Sequence, residues 1–265
     1  DGNMINTVVK SSDYTDRYVT YDVLNDGFGQ GALYTVVNQA ENLPTMYQKF
    51  YVYKDMPYAL VQVELGSDNE ISTNFMAPIS TSGENVVDIG TKTDARALFV
   101  PFSNDGYTAY NPETLNGAHT SYFVTAIFDN NSRNSVIAGS VDHDTWKTGT
   151  STWATADNGN INFFGAFAGI NSKEFTYDFQ PHGSIKGTKV SSPKMFLGYF
   201  DDWRDGMETY GDANKRNNGK LSWGSGSIFG FSSWNAHQDK VTLENMKNAS
   251  DEMATLNAGG FCDEN

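Results

Sequence analysis

The sequence predicts a mainly β fold, a large antiparallel β-sandwich, and three features carry that expectation. Short runs rich in Val, Ile, Thr, Tyr and Phe recur from the start of the chain to about residue 200. Many of them alternate apolar and polar positions, as half-buried strands do. Turn signals such as Asn25-Asp26-Gly27, Asn104-Asp105-Gly106 and Asp157-Asn158-Gly159 separate the runs, with Asp/Asn-Gly pairs suited to positive φ.

Taken in order, strands are expected near Met4–Lys10, Arg17–Val23, Ala32–Val37, Met46–Tyr53, Tyr58–Leu65 and Ser72–Ile79. Others are expected near Ala97–Pro101, Ser121–Asp129, Ser135–Val141, Asn162–Ala168 and Lys194–Tyr199. In the run Tyr58–Leu65, Leu60, Gln62 and Glu64 share one face, while Ala59, Val61, Val63 and Leu65 make an apolar one. So many strands with hardly a helix point to a large sandwich rather than a small barrel. Hydrophobic residues make up only 38% of the chain, but aromatics reach 14%, and such rings can fill a sheet core. They also suit sugar binding, since a flat ring stacks on the C–H face of a pyranose.

The character changes after residue 200. Asp201–Tyr210 opens with acidic residues suited to a helix N-terminus, and Trp203, Met207 and Tyr210 follow at helical spacing. Gly219–Ser227 is a Gly/Ser-rich link, and Ile228–Phe231 is a short apolar strand. Val241, Met246, Ala249, Met253 and Leu256 form a helical stripe that Asp239 or Thr242 can cap and Gly259-Gly260 can end. Strand, loop and helix make half of a βαβ unit, and a lone parallel strand has nothing to pair with. The expectation is therefore a sandwich over residues 1–200, a helical link over 201–226 and a truncated unit over 227–265, cut by proteolysis rather than design.

Composition narrows the function. The formal charge is −14, and an acidic surface repels phosphate backbones, so no nucleic acid partner is expected. No run of about 18 apolar residues offers a membrane span. Cys262 is the one cysteine, so neither an intrachain disulfide nor a Cys-based metal site is expected. His119, His143, His182 and His237 are scattered without ligand spacing. The chain lacks a G-x-S-x-G elbow and a G-x-x-x-x-G-K loop, which removes serine-hydrolase and nucleotide-binding readings. Asp201, Asp202, Asp205 and Glu208 lack calcium-loop spacing and fit a helix N-terminus better. No metal and no cofactor is expected.

The run Asp142-His143-Asp144-Thr145-Trp146-Lys147 concentrates charge and a ring in six residues. On a strand, Asp142 and Asp144 would face the same way, and retaining glycosidases need carboxyls about 5–5.5 Å apart. A loop so rich in charge is more often a solvated turn or a domain contact. Asn130-Asn131-Ser132 and Asn248-Ala249-Ser250 match a glycosylation pattern that chance accounts for.

The segment Ile228–Met246, with Gly230-Phe231-Ser232-Ser233-Trp234 and Val241-Thr242-Leu243-Glu244-Asn245, resembles the first barrel strand and helix of clan D glycoside hydrolases, families 27 and 36. Phe231 and Ser232 depart from the Trp and Asn of that pattern. Tyr58–Leu65, Asn74–Ile79, Tyr122–Asp129, Gly139–Gly149 and Leu197–Gly211 resemble the sandwich that family 36 enzymes carry before the barrel. The resemblance implies a galactose-mutarotase-like supersandwich followed by the start of a (β/α)8 barrel. It implies retaining hydrolysis of α-linked galactose or N-acetylgalactosamine, with catalytic aspartates beyond Asn265 and none in this chain. Trp234 would stack on the sugar, its bland counterpart being a core ring, and Asp144 and Trp146 would line the barrel mouth. Implied partners are an α-galactoside or related glycan and the rest of the barrel; the implied location is secreted, periplasmic or cell-surface. A stand-alone carbohydrate-binding or structural sandwich is the alternative.

Overall fold

The computed structural model describes residues 8–90, 92–101, 110–155, 159–169, 183–219 and 237–258. They fall into two compact units, residues 1–220 and 221–265.

The first unit is the expected antiparallel sandwich. Its strands are β1 (Asp16–Asp26), β2 (Gly29–Gln39), β3 (Thr45–Tyr53), β4 (Tyr58–Thr73), β5 (Phe75–Val87), β6 (Ala95–Phe99) and β7 (Asn111–Thr114). They continue as β8 (Gly117–Tyr122), β9 (Val124–Asp129), β10 (Ser135–Ser140), β11 (Thr148–Ala154), β12 (Ile161–Gly169), β13 (Ile185–Ser191) and β14 (Met195–Phe200). A helix, α1 (Trp203–Asn218), follows. A ten-stranded sheet runs β1-β2-β3-β4-β14-β10-β9-β6-β7, with β13 also paired to β4, and a four-stranded sheet runs β5-β12-β11-β8.

Alternation along the central strands explains the layering. On β9 and β10, Ile127, Val136 and Ala138 pack with Ile161 and Phe164 of the four-stranded sheet. Their neighbours Ala126, Phe128 and Ile137 pack on the opposite side with Phe196, Phe200, Tyr210 and Ala213. Both strands are buried along their whole length, because α1 covers the face that the second sheet does not.

The helix reaches the sheet through small residues. A Cβ on Gly206 would lie 2.6 Å from Ile137 Cγ1 and 2.8 Å from Phe200 Cδ2. The Tyr210 ring similarly occupies the space above Gly139, and its hydroxyl donates to Ser140 O at 2.7 Å. Trp203 lies on Phe128 with ring centroids 5.1 Å apart. The stripe read in the sequence is thus the face that meets the sheet. Asp202 caps this helix, accepting from Arg204 N at 3.0 Å. Its hydrogen bond with the Arg204 guanidinium, above all, holds its carboxyl below the ordinary range.

Two expected strands are each two half-strands in different sheets. Ser72–Ile79 is the end of β4 and the start of β5, and Ser121–Asp129 is split between β8 and β9. The second break falls at Phe123, with φ of 63°; its N–H donates to Thr148 O and its carbonyl accepts from Ser140 N. Strands that switch sheets turn such corners. β7, β11 and β13 carry no apolar alternation and were not expected. Residues 8–10 of the first expected strand are not extended into a sheet, and the rest of it lies outside the described residues.

Asp129 organises the β9–β10 turn. Fully buried, it accepts from Asp94 N at 2.7 Å, Ser132 N at 2.8 Å and Asn131 N at 3.0 Å. Burial opposes its ionisation, but these amides outweigh burial and hold the pKa at about 2, against an ordinary 3.8.

In the second unit, Thr242 caps α2 (Leu243–Ala258): Asn245 N donates to Thr242 Oγ1 at 3.2 Å and Asn245 Oδ1 accepts from Thr242 N at 2.8 Å. This is a capping box with Asn in the acidic position. The expected strand Ile228–Phe231, the Gly259-Gly260 stop and Cys262 lie outside the described residues. Among those described, no helix is long and apolar enough to cross a membrane.

Two outcomes follow from these contacts. Gly206→Ala should lose about 1–2 kcal/mol in denaturant unfolding: overpacking outweighs the roughly 1 kcal/mol gain in helix propensity. Asp129 has a depressed pKa, so its contribution is present above pH about 4 and disappears as pH falls through about 2. Stability measured against pH should therefore drop by about 2 kcal/mol more over that window in the parent than in Asp129→Asn.

Candidate functional site

The β10–β11 connection and β13 enclose a shallow groove of about 330 Å³. One wall is Asp142, Asp144, Thr145 and Trp146; the other is Ile185, Lys186, Lys189 and Val190, with Ser191, Ser192 and Pro193 beyond them. The structure thus brings two of the three expected substrate-binding residues, Asp144 and Trp146, to one depression. Trp234 lies outside the described residues.

The two carboxylates differ in role. Asp142–Trp146 is not a strand, so alternate residues there need not share a face. Asp142 is engaged at both oxygens: Oδ2 accepts from Lys194 N at 2.7 Å and Oδ1 from Asn217 Nδ2 at 2.6 Å. It ties the loop to β14 and to the last turn of α1. Asp144 is exposed at the groove and is the carboxylate placed to meet a ligand.

Trp146 is held from two sides. Its indole N–H donates to Ser191 O at 3.0 Å. Its ring closes over Gly169, where a Cβ would lie 2.8 Å from Trp146 Cζ3 and 2.1 Å from Asn74 O. With φ of 82° at that position, only glycine is free of strain there. The ring thus occupies one fixed place in the groove wall.

The opposite wall rests on an ion cluster around a buried carboxylate. Glu64, 8% exposed, meets Lys49 and Lys189, each at 3.0 Å, and accepts from Ser191 Oγ at 3.1 Å. Burial opposes its ionisation, yet the two lysines outweigh burial and hold its carboxyl below the ordinary value. The Glu64 hydrogen bond raises Lys189 in turn. Ser192 Oγ accepts from Val63 N at 3.0 Å, and Ser192 O from Gln62 Nε2 at 2.9 Å, pinning this end to β4. Sequence reading missed Lys186, Lys189 and Ser191; the polar run Lys186-Gly187-Thr188-Lys189 is the signal that they lie on an edge strand.

Two of the scattered histidines make hydrogen bonds. His143 Nε2 donates to Asn214 Oδ1 at 2.7 Å, and Nδ1 lies 3.4 Å from Ser140 Oγ, so this histidine fastens the loop to α1. His119 accepts from Asn116 N at Nε2 and therefore carries its proton on Nδ1, which donates to Glu113 at 3.0 Å. A second cavity, about 430 Å³, is mostly apolar and lined by Leu98, Pro112, Ala126, Phe128 and Trp203, with Arg96 and Asn130 beside them. Arg96 and Asn130 both donate to Asp94. Asp144, a fixed indole and two lysines suit a polar ligand bound by stacking and hydrogen bonds.

No protein-family model and no curated protein sequence matches the chain. Solved structures do. The GH36 α-galactosidase AgaA from Geobacillus stearothermophilus, in a variant bound to 1-deoxygalactonojirimycin, matches with a TM-score of 0.51 and 11% identity over 75% of this chain and 30% of that one. A second AgaA variant, bound to raffinose, matches with a TM-score of 0.50 and 12% identity over 92% of this chain and 36% of that one. The resemblance to GH36 enzymes thus holds at the level of fold. The chain spans about a third of the length of these enzymes.

The two aspartates should separate experimentally. Asp142→Ala, which leaves Lys194 N and the Asn217 amide without their acceptor, should lower stability by about 1–3 kcal/mol. Asp144→Ala should leave the melting temperature within about 1 °C of the parent, since exposed substitutions cost little. Thermal unfolding of both variants checks this.

Proposed function

We propose that this chain is the N-terminal, non-catalytic part of a retaining α-galactosidase or α-N-acetylgalactosaminidase-like glycoside hydrolase. The observation that carries the reading is the sandwich, which shares its fold with GH36 α-galactosidases over most of its length. Of those neighbours, one holds raffinose and another a galactonojirimycin inhibitor, so an α-galactoside is the substrate class for the intact protein. The nucleophile and the acid would be aspartates on barrel strands beyond Asn265. Trp234, which the resemblance of Gly230–Trp234 would put at the end of a first barrel strand, would stack on the sugar, because barrel sites sit at the C-terminal ends of strands. Trp146 and Asp144 would contact the substrate at their own groove. This reading makes the protein secreted, periplasmic or cell-surface. A sandwich that binds carbohydrate without a barrel is the second reading, favoured by the fixed Trp146 indole in its groove.

The test is the complete gene product against the 265-residue chain on p-nitrophenyl α-galactoside. The complete protein should hydrolyse it with retention, read by proton NMR of the first-formed anomer, and the chain alone should not. Turnover by the chain alone that disappears in Asp142→Asn or Asp144→Asn would overturn the assignment, as would inversion. In the complete protein, Trp234→Ala should lower kcat/KM by about 5- to 150-fold at a near-constant melting temperature. A large melting drop with normal efficiency in the folded fraction would make the ring structural.

A further inference from the structure

The outer face of the four-stranded sheet has an organisation that the groove and the barrel reading leave unused. On β11, Thr148, Thr150 and Thr152 point into the sandwich, with 0%, 1% and 4% exposure. Gly149, Ser151 and Trp153 therefore point outward. On β12, Phe164, Ala166 and Ala168 share the inward face, so Phe163, Gly165 and Phe167 lie on the outer side. Phe167, opposite Gly149, is buried there and Phe163 is half-buried, which leaves the Trp153 end as the open part of the face. The register places Trp153 opposite Phe163 and Ser151 opposite Gly165.

Glycine makes this face flat. A Cβ on Gly165 would lie 3.1 Å from Phe163 Cζ and 3.4 Å from its Cε1. The Phe163 ring therefore lies along the strand over Gly165 instead of standing off the sheet. Trp153, across from it, is 46% exposed. The flanking strands contribute hydroxyls: Ser80 and Ser82 of β5 stand opposite Gly165 and Phe163, and Thr120 of β8 stands opposite Ser151. Thr120 and Ser151 hydrogen-bond to each other at 3.2 Å. In a chain of net charge −14, none of these outward residues is charged.

We propose that this face is a binding platform for a neutral polysaccharide chain, with Trp153 and Phe163 stacking on sugar rings and Ser80, Ser82, Thr120 and Ser151 meeting their hydroxyls. The charge pattern selects the occupant. In an acidic protein, the residues that flank the two rings, Ser80, Ser82, Thr120 and Ser151, are neutral and bear hydroxyls, which matches a ligand that is itself uncharged and hydroxyl-rich. Four strands at about 4.8 Å spacing give the platform a width of roughly 15 Å, room for a short stretch of such a chain. At the open end the two rings, Trp153 and Phe163, stand among hydroxyls, unlike the broad apolar centre of a lasting protein interface, while Phe167 and Tyr122 on the same side are buried. The platform is distinct from the groove: five residues of β11 separate Thr148 from Trp153, roughly 16 Å at strand rise. It requires nothing of the α-galactosidase reading and stands if that reading falls.

Native affinity electrophoresis of the chain through gels holding galactomannan, xylan or hydroxyethylcellulose tests it, with bovine serum albumin as the mobility reference. At least one polysaccharide should retard the chain. Trp153→Ala should weaken that retention on the order of tenfold, as removal of a central anchor does, while Trp153→Tyr keeps most of it. Phe163→Ala should weaken it as well, with far-UV circular dichroism reporting the folded state of each variant. Absence of retardation in all three gels overturns the proposal. So does retention that Trp146→Ala abolishes and Trp153→Ala leaves intact, which assigns binding to the groove. A concentration-dependent dimer in light scattering that Trp153→Ala splits also overturns it, because the face is then occupied by a second copy.

Discussion

The whole sandwich depends on burying β9 and β10 on both faces at once. A strand covered on one side only can carry polar residues on the other, and its helix can stand off. Here the four-stranded sheet takes Ile127, Val136 and Ala138, while α1 must seal Ala126, Phe128 and Ile137 on the far side. That demand fixes the small residues at the helix contact, Gly206 and Ala213, and the glycine under Tyr210 at Gly139. It also fixes Asp129: buried at the end of β9, its carboxylate accepts two amides of the turn, Asn131 and Ser132, and that of Asp94 beside it, so the buried charge is fully bonded.

The same constraint decides how much was legible. β4, β9, β10 and β14 owe their stability to aliphatic and aromatic residues, so their runs stand out in the sequence. The stripe Trp203, Met207 and Tyr210 was readable because one helix face does the sealing. What escaped were the corners and the polar strands. A chain that leaves one sheet for another at Phe123 or Asn74 keeps its β-rich composition across the break, so composition joined what topology separates. β13 is Lys- and Gly-rich because it lies on an edge, and β11 hid behind threonines.

At the groove, the loop singled out in the sequence lines the depression, but the strand geometry assumed for it is absent. The proximity of Asp142 and Asp144 drew attention as a carboxylate pair, which assumes strand geometry. The loop instead assigns them separate work: Asp142 holds the backbone of Lys194 and the end of α1, and Asp144 is left at the surface. Trp146 earned its place through residues far away in sequence, Gly169 and Ser191. Neither partner bears any mark that a linear scan could join to it, because both interactions use backbone: a carbonyl that accepts and a position that must lack a Cβ.

The β11–β12 pair inverts the ordinary order of a sandwich strand. Hydroxyls of Thr148, Thr150 and Thr152 are inside, and the largest side chain of β11, Trp153, is outside. Burying a hydroxyl costs free energy unless it is bonded, and the structure meets this need at Thr148, whose Oγ1 lies 2.6 Å from Ser140 Oγ. Exposing an indole forfeits the burial that would stabilise the core by about 2 kcal/mol or more. Folding stability alone would favour the reverse arrangement, with aliphatic residues in and threonines out, and the flanking strands show that the fold accommodates it: Ile79 of β5 packs inward while Ser80 points out. A strand pair that accepts both costs, and sets Gly165 under the Phe163 ring so that this ring lies flat, is shaped by what meets its outer face.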